Sequence, residues 1–158
     1  MSTLLLDTFL PAQLPVVGAT AGNRQGDFIA ESVDWILAAA TPSRRGAERR
    51  REARYPYPHP ILLTPCDQPL AGEPPVIGVI GRHLSPHGLD FYHRDPLPHR
   101  RVIASLDGGQ RGWISLLLEL TWCRFSRHGW YDGGGRFLAV VPTPDHLASA
   151  GRGSSRSA

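Results

Sequence analysis

Six short apolar segments between residues 61 and 141 constrain the fold of this chain more than any other feature. Glycine or proline lies at or near the ends of each, and these residues favour turns over continuous helix. The predicted strands are Ile61 to Leu63, Val76 to Leu84, Gly88 to His93, Arg101 to Leu106, Trp113 to Phe125 and Gly135 to Val141. In the longest, Leu116, Leu118, Leu120 and Trp122 alternate with Leu117, Glu119, Thr121 and Cys123, as on the two faces of a strand. Short strands joined by tight turns predict an all-β domain, a small antiparallel barrel or sandwich.

Prolines and glycines also suggest how the strands begin and end. Pro56, Pro58 and Pro60 alternate, so only one side of that backbone lacks amide donors, which suits the edge of a sheet. Asp107-Gly108-Gly109 predicts the turn that ends the fourth strand. Gly133-Gly134-Gly135 predicts a hairpin turn, because it lacks the lysine and the following helix of a phosphate-binding loop.

One amphipathic helix is expected ahead of the strands, from Asp27 to Ala40 within residues 26–42. Asp27 is the predicted N-cap, and Thr41-Pro42 is expected to end the helix. A single apolar stripe recurs at helical spacing, widened along one edge by Phe28 and Trp35; it consists of Ile29, Val33, Ile36, Leu37 and Ala40. A helix of about 14 residues is marginal alone in water, so the stripe must pack on the barrel, a second copy or a partner.

The chain therefore divides into four segments. Residues 1–25 are expected to be flexible, 26–42 form the helix, 43–142 form the β-domain with a basic N-terminal arm, and 143–158 form a disordered tail.

Cys66 and Cys123 are far apart and lack a CxxC spacing, which argues against a disulfide scaffold or a zinc ribbon. No signal peptide and no membrane span are predicted, so a cytoplasmic location is expected.

Positive charge is concentrated in one segment, Arg44 to Arg54. Six arginines and two glutamates give it a net charge of +4, whereas the whole chain carries +3. Such a run can be a solvated linker, an arm that binds the phosphates of nucleic acid, or a polybasic membrane contact. Taken alone, the charge favours the linker.

Two short motifs add to this interpretation. Arg50 and Arg54 form an RxxxR pattern, and 29 positions after Arg54 the chain reads His83-Leu84-Ser85-Pro86-His87-Gly88, or HxSxxG. An arginine pair ahead of a small β-barrel, followed by a polar-x-Ser-x-x-Gly turn, resembles the PilZ domain, a bacterial family that binds the second messenger cyclic di-GMP. The resemblance covers about Arg49 to Val141 and leaves out the helix.

The resemblance implies a fold and a set of ligand-binding residues. The fold is a six-stranded antiparallel PilZ-like barrel, and the function is non-enzymatic cyclic di-GMP sensing for signal transduction, through ordering of the arginine arm. Arg50 and Arg54 are expected to contact base and phosphate, because guanidinium groups stack on bases and pair with guanine O6 and N7. The full set of expected ligand residues is Arg49 (for a second ligand molecule), Arg50, Arg54, His83, Ser85 and Gly88.

His83 departs from the family pattern, which has aspartate or asparagine at that position. A neutral imidazole offers one donor and one acceptor, and so can make only part of the contact with the N–H edge of guanine. Two outcomes follow: binding that is weaker and sensitive to pH near the titration of histidine, or a degenerate site on a barrel used for protein contacts.

Alternative functions remain open at this point. A degenerate PilZ adaptor would bind a downstream protein and no nucleotide, whereas a small nucleic-acid-binding barrel would use the basic arm on phosphates. A metal site is not expected, since His83 and His87 span a proline-containing turn rather than a helix. Ser85, His87 and Asp90 lack the setting of a hydrolase triad, so we expect no catalytic residues. No cofactor is expected, and nucleic acid is not an expected partner.

Overall fold

The computed structural model describes residues 21–40, 54–66, 74–126 and 128–150. The elements in chain order are helix α1 (Ala21–Ala40), strands β1 (Tyr55–Pro56), β2 (Pro60–Pro65), β3 (Ile77–Leu84), β4 (Gly88–His93), β5 (Arg101–Asp107), β6 (Trp113–Phe125) and β7 (Tyr131–Val141), and helix α2 (Asp145–Ala150). A 3-10 turn, Gly109–Arg111, connects β5 to β6. No helix in the described ranges is long and apolar enough to cross a membrane.

Strands β2 to β7 form a closed antiparallel barrel. Their spatial order is β3-β2-β5-β6-β7-β4, and β4 pairs back with β3 to close the sheet. The short strand β1 lies outside this ring and pairs with the end of β3, Tyr55 opposite Leu84. The prediction of an all-β, six-stranded antiparallel barrel is confirmed.

Alternating side chains of the strands fill the barrel interior. In β4, Leu89, Phe91 and His93 are buried, while the residues between them are partly exposed. The other strands contribute apolar side chains that are almost fully buried, namely Ile61, Leu63, Val79, Leu84, Val102, Ala104, Leu106, Leu116, Leu118 and Phe137, and Tyr57, between β1 and β2, is buried with them. The odd-numbered positions of β4 therefore face the core, and the even-numbered ones face the outer wall.

Helix α1 packs on its own barrel, against β5, β6, β7 and the 3-10 turn. Ile29, Val33 and Ile36 of the predicted stripe are buried in the common core. Phe28 and Trp35 do not widen the stripe, because 56% and 40% of their surfaces remain exposed. The Arg111 guanidinium lies 3.4 Å from the Trp35 ring centroid, and so covers that ring from the barrel side.

The predicted start of the helix is wrong, while its end, at the limit of the described residues, stays a prediction. α1 begins at Ala21, so Asp27 lies inside the helix and is not its N-cap, and residues 21–25 belong to the helix rather than to a flexible segment. No proline lies between Ala21 and Asp27, so the backbone can extend the helix past the first apolar position. The described part of the helix extends to Ala40, and Thr41-Pro42 lies outside the described residues.

Two further predictions are corrected by the structure. Gly133-Gly134-Gly135 is not a hairpin turn but part of β7, which pairs with β4 on one side and β6 on the other. The turn comes earlier, where the Ser126 amide donates to the Trp130 carbonyl. The tail is not disordered throughout residues 143–158, because Asp145–Ala150 forms α2 and buries Leu147.

Candidate functional site

A cavity of about 330 Å³ lies on the outer wall of the barrel, beside the turn between β3 and β4. We call it the outer cavity. Its lining comprises Arg54, His83, Ser85, His87, Gly88, Leu89, Asp90, Thr121, Trp122, Gly135 and Arg136. Four of the residues singled out in the sequence, Arg54, His83, Ser85 and Gly88, thus line one cavity. Arg49 and Arg50 lie outside the described residues.

A row of four paired residues runs along the outer wall of the barrel, and three of them, His83, Asp90 and Trp122, line this cavity. His83 of β3 lies opposite Asp90 of β4, Asp90 opposite Gly134 of β7, and Gly134 opposite Trp122 of β6. Directly opposed residues of antiparallel strands place their side chains on the same face. We call these four residues the cross-strand row. It contains one residue expected from the sequence, His83, and three that the motifs did not indicate.

Asp90 holds the exposed Arg54 at the rim of the cavity. Its Oδ2 lies 3.4 Å from Arg54 Nη1 and 3.7 Å from His83 Nδ1. The Arg54 side chain is 72% exposed, and the Asp90 side chain is 15% exposed. An ion pair with one partner in solvent contributes little to stability, on the order of 0–1 kcal/mol. Arg54 can therefore exchange the Asp90 carboxylate for another anion at a small cost in free energy.

Ser85 organises the turn that borders the cavity. Its amide donates to the Gly88 carbonyl at 3.0 Å, and its Oγ accepts the amides of His87 and Gly88, both at 3.2 Å. The same hydroxyl lies 3.4 Å from the Gly88 carbonyl oxygen, to which it donates. Ser85 therefore has a structural role in this turn, in addition to any contact with a ligand.

Gly88 is required by the close approach of a neighbouring strand. A Cβ at this position would lie 2.1 Å from the Gly135 carbonyl oxygen, which is far inside van der Waals contact. Its φ is not among the positive values of the described chain, which occur at Gly109, Gly112 and Gly129. Of the two reasons for a glycine, an unusual backbone angle or a close approach, the structure shows the second.

Arg136 supplies a second cation at the outer cavity. Its Nε and Nη2 both lie 2.7 Å from Glu119 Oε2, and Arg100 Nε lies 3.6 Å from Glu119 Oε1. The hydrogen bond from Arg136 lowers the pKa of Glu119, with the positive charges of Arg136, Arg100 and Arg101 acting in the same direction. Arg136 belongs to neither motif, and the β6–β7 and β4–β7 registers bring it to this place, opposite Glu119 and Gly88.

A second polar cluster lies next to the cavity on the same outer wall. Asp132 is opposite Tyr92 and Arg124, and its Oδ2 lies 3.1 Å from Arg124 Nη2 and 3.6 Å from Arg82 Nη1. The Arg82 guanidinium is 5.6 Å from the Tyr92 ring centroid. Oδ1 of Asp132 is buried and accepts no hydrogen bond from the residues that the structure describes. Arginines thus flank the cross-strand row on this side also.

In the described ranges, no group of three histidine, cysteine, aspartate or glutamate side chains is placed to hold a metal ion. Ser85 and His87 are joined by the backbone amide of His87, in a contact that forms a turn. What the outer cavity offers is a hydroxyl, a carboxylate, an indole and two guanidinium groups around a floor of glycine. These groups suit a planar, anionic ligand.

Comparison with known proteins adds no identification: no protein-family model, no curated protein and no solved structure matches this chain.

Proposed function

We propose that this protein is a cyclic di-GMP receptor, in which the arginine segment ahead of the barrel and the turn at residues 83–88 bind the nucleotide together. One observation carries the proposal. Arg54, the last residue of RxxxR, lines the same cavity as His83, Ser85 and Gly88 of HxSxxG, although 29 positions separate the two motifs. A basic linker unrelated to the barrel surface gives no reason for this convergence.

The charges of the cavity suit a cyclic dinucleotide, which carries two phosphates and two guanines. Arg54 and Arg136 line the cavity, and their side chains are 72% and 67% exposed. Charge-assisted bonds from arginine to phosphate are stronger than neutral hydrogen bonds, and the planar guanidinium also stacks on bases. We assign Arg54 and Arg50 to base and phosphate contacts, and Arg49 to a second ligand molecule.

The signalling step follows from where the arginines are attached. Arg54 immediately precedes β1, and its side chain is held by the weak ion pair with Asp90. A bound dianion neutralises the arginine segment and draws it onto the outer wall, an ordering change that exposes or hides a surface for a protein partner.

Calorimetric titration with cyclic di-GMP, compared with GMP and GTP, tests this proposal. We expect Arg54→Ala to weaken binding about 100-fold through loss of a charge-assisted contact, and Arg50→Ala to do the same. The melting temperature of Arg54→Ala is expected to stay unchanged, because its side chain is largely in solvent.

Arg111→Ala is the matched control, since it removes the same charge beside Trp35 and outside the outer cavity. The absence of heat at high-micromolar cyclic di-GMP would end the proposal. If Arg54→Ala melts the domain, the arginine has a structural role and our assignment is wrong.

A second candidate is a degenerate adaptor that binds a protein through the same wall. Two observations favour it: His83 stands where the family has aspartate or asparagine, and the Ser85 hydroxyl already accepts two backbone amides. A titration without nucleotide binding, together with retention of a protein partner that Arg54→Ala disrupts, would select this function.

A further inference from the structure

Two polar groups converge above Gly134 in the cross-strand row. A Cβ at Gly134 would lie 2.7 Å from Asp90 Oδ1 and 2.7 Å from Trp122 Nε1, so a side chain at position 134 would displace these two groups. Because Asp90 Oδ1 and Trp122 Nε1 each lie 2.7 Å from this Cβ position, the distance between them is at most twice 2.7 Å. They come from strands β4 and β6, which β7 separates. Glycine at 134 therefore lets an acceptor and a donor stand side by side.

This pair has a fixed hydrogen-bonding sense. The indole Nε1–H only donates, and an ionised carboxylate only accepts. Guanine presents the opposite sense on its pairing edge, with the O6 acceptor beside N–H donors, whereas adenine presents its amino donor where guanine has O6. Guanine can thus accept from Trp122 and donate to Asp90, whereas adenine held in the same pose opposes donor to donor and acceptor to acceptor.

The Asp90 carboxylate can make this contact without first losing Arg54. Its contacts with Arg54 and His83 both involve Oδ2, whereas Oδ1 is the oxygen beside Gly134 and Trp122. His83 and Asp90 are paired neighbours on β3 and β4. The carboxylate that the HxSxxG motif lacks at position 83 is therefore present one strand away, on the same face.

We propose that Asp90 and Trp122 determine base specificity, selecting a guanine-containing nucleotide over an adenine-containing one, while Gly134 leaves the space between the two side chains open. This inference rests on the proposed function. A site built to hydrogen-bond a base edge rejects the wrong base because its polar groups are left without partners. We expect wild type to prefer cyclic di-GMP over cyclic di-AMP by about 10- to 100-fold, the discrimination typical of a well-made base contact.

The test is a calorimetric titration of wild type, Asp90→Asn and Trp122→Phe with both cyclic dinucleotides. Asp90→Asn keeps the shape but gives the side chain an amide that can donate to adenine, so the preference for guanine should fall about tenfold or more. Trp122→Phe keeps an aromatic ring and removes the N–H, and should lower the same ratio. Asp34→Asn on α1 removes one negative charge outside the cavity and should leave the ratio unchanged.

The outcomes separate this inference from the proposed function. If wild type binds both cyclic dinucleotides equally, or if both variants keep the wild-type ratio, Asp90 and Trp122 do not read the base, and the receptor function stands. If wild type binds neither nucleotide, both proposals fail. Trp122 is 38% exposed, so Trp122→Phe is expected to fold and to decide the question even if Asp90→Asn does not.

Discussion

At the scale of single residues, Tyr57 shows how burial changes the ionisation of a side chain. The residue is 1% exposed, and burial raises the pKa of its hydroxyl to about 12, with the negative charge of Asp107 adding to the effect. The folded pKa exceeds the unfolded value of about 10. The neutral phenol's contribution to stability is thus complete below pH 10 and is lost as the pH rises towards 12.

Replacing Tyr57 with phenylalanine should remove this dependence on alkaline pH. A shift of about two pKa units corresponds to about 2–3 kcal/mol of folding free energy at the alkaline limit. We expect the urea midpoint of wild type to fall between pH 10 and 12 more steeply than that of Tyr57→Phe. Parallel curves for the two proteins would show that another group governs alkaline unfolding.

The site residues divide according to what kind of information locates them. Arg54, Ser85 and Gly88 follow from motifs, because their spacing is local in the sequence or matches a known pattern. Asp90, Trp122 and Arg136 became visible only through strand register, since they are brought to the cavity by pairing across β4, β7 and β6. Register depends on the closed barrel as a whole, and a one-residue slip would turn these side chains to the other face.

At the scale of secondary structure, a strand bounded by a hydrogen-bonded turn is easier to predict from the sequence than a strand that contains a run of glycines. β4 has the predicted bounds, because the Ser85–Gly88 turn and the apolar alternation define it from both sides. The start of β7 was missed, because three consecutive glycines are typical of a turn. Here they are needed because neighbouring atoms crowd each of these positions.

Gly135 gives the sharpest test of that crowding. A Cβ there would lie 2.0 Å from the backbone carbonyl oxygen of Glu119, which cannot rotate away as a side chain would. Gly135→Ala should therefore destabilise the protein by about 2–4 kcal/mol in urea unfolding, as overpacking and strain do elsewhere. Gly78→Ala on β3 is the control, since nothing lies within 4 Å of its Cβ position. Equal stability of the two variants would contradict the close approach of β6 and β7.

At the scale of the whole molecule, the helix and the outer cavity use different parts of one barrel. α1 packs over β5, β6, β7 and the 3-10 turn, while the cavity opens beside the β3–β4 turn. The described residues of the helix extend to Ala40, and those of the barrel start at Arg54, which lines the cavity. The arginine segment thus connects the helix to the site, although the sequence could not indicate where the helix docks.

Because α1 shares the core of the barrel, we expect helix and barrel to unfold as one unit. Ile36 is fully buried in that common core, so Ile36→Ala should cost about 2–5 kcal/mol and shift the entire transition. Phe28→Ala removes a larger side chain that is 56% exposed, and should cost less. Far-ultraviolet circular dichroism and tryptophan fluorescence should give coincident urea transitions. An Ile36→Ala protein that loses helical signal first, with the barrel transition in its wild-type place, would show that the helix is only an appendage.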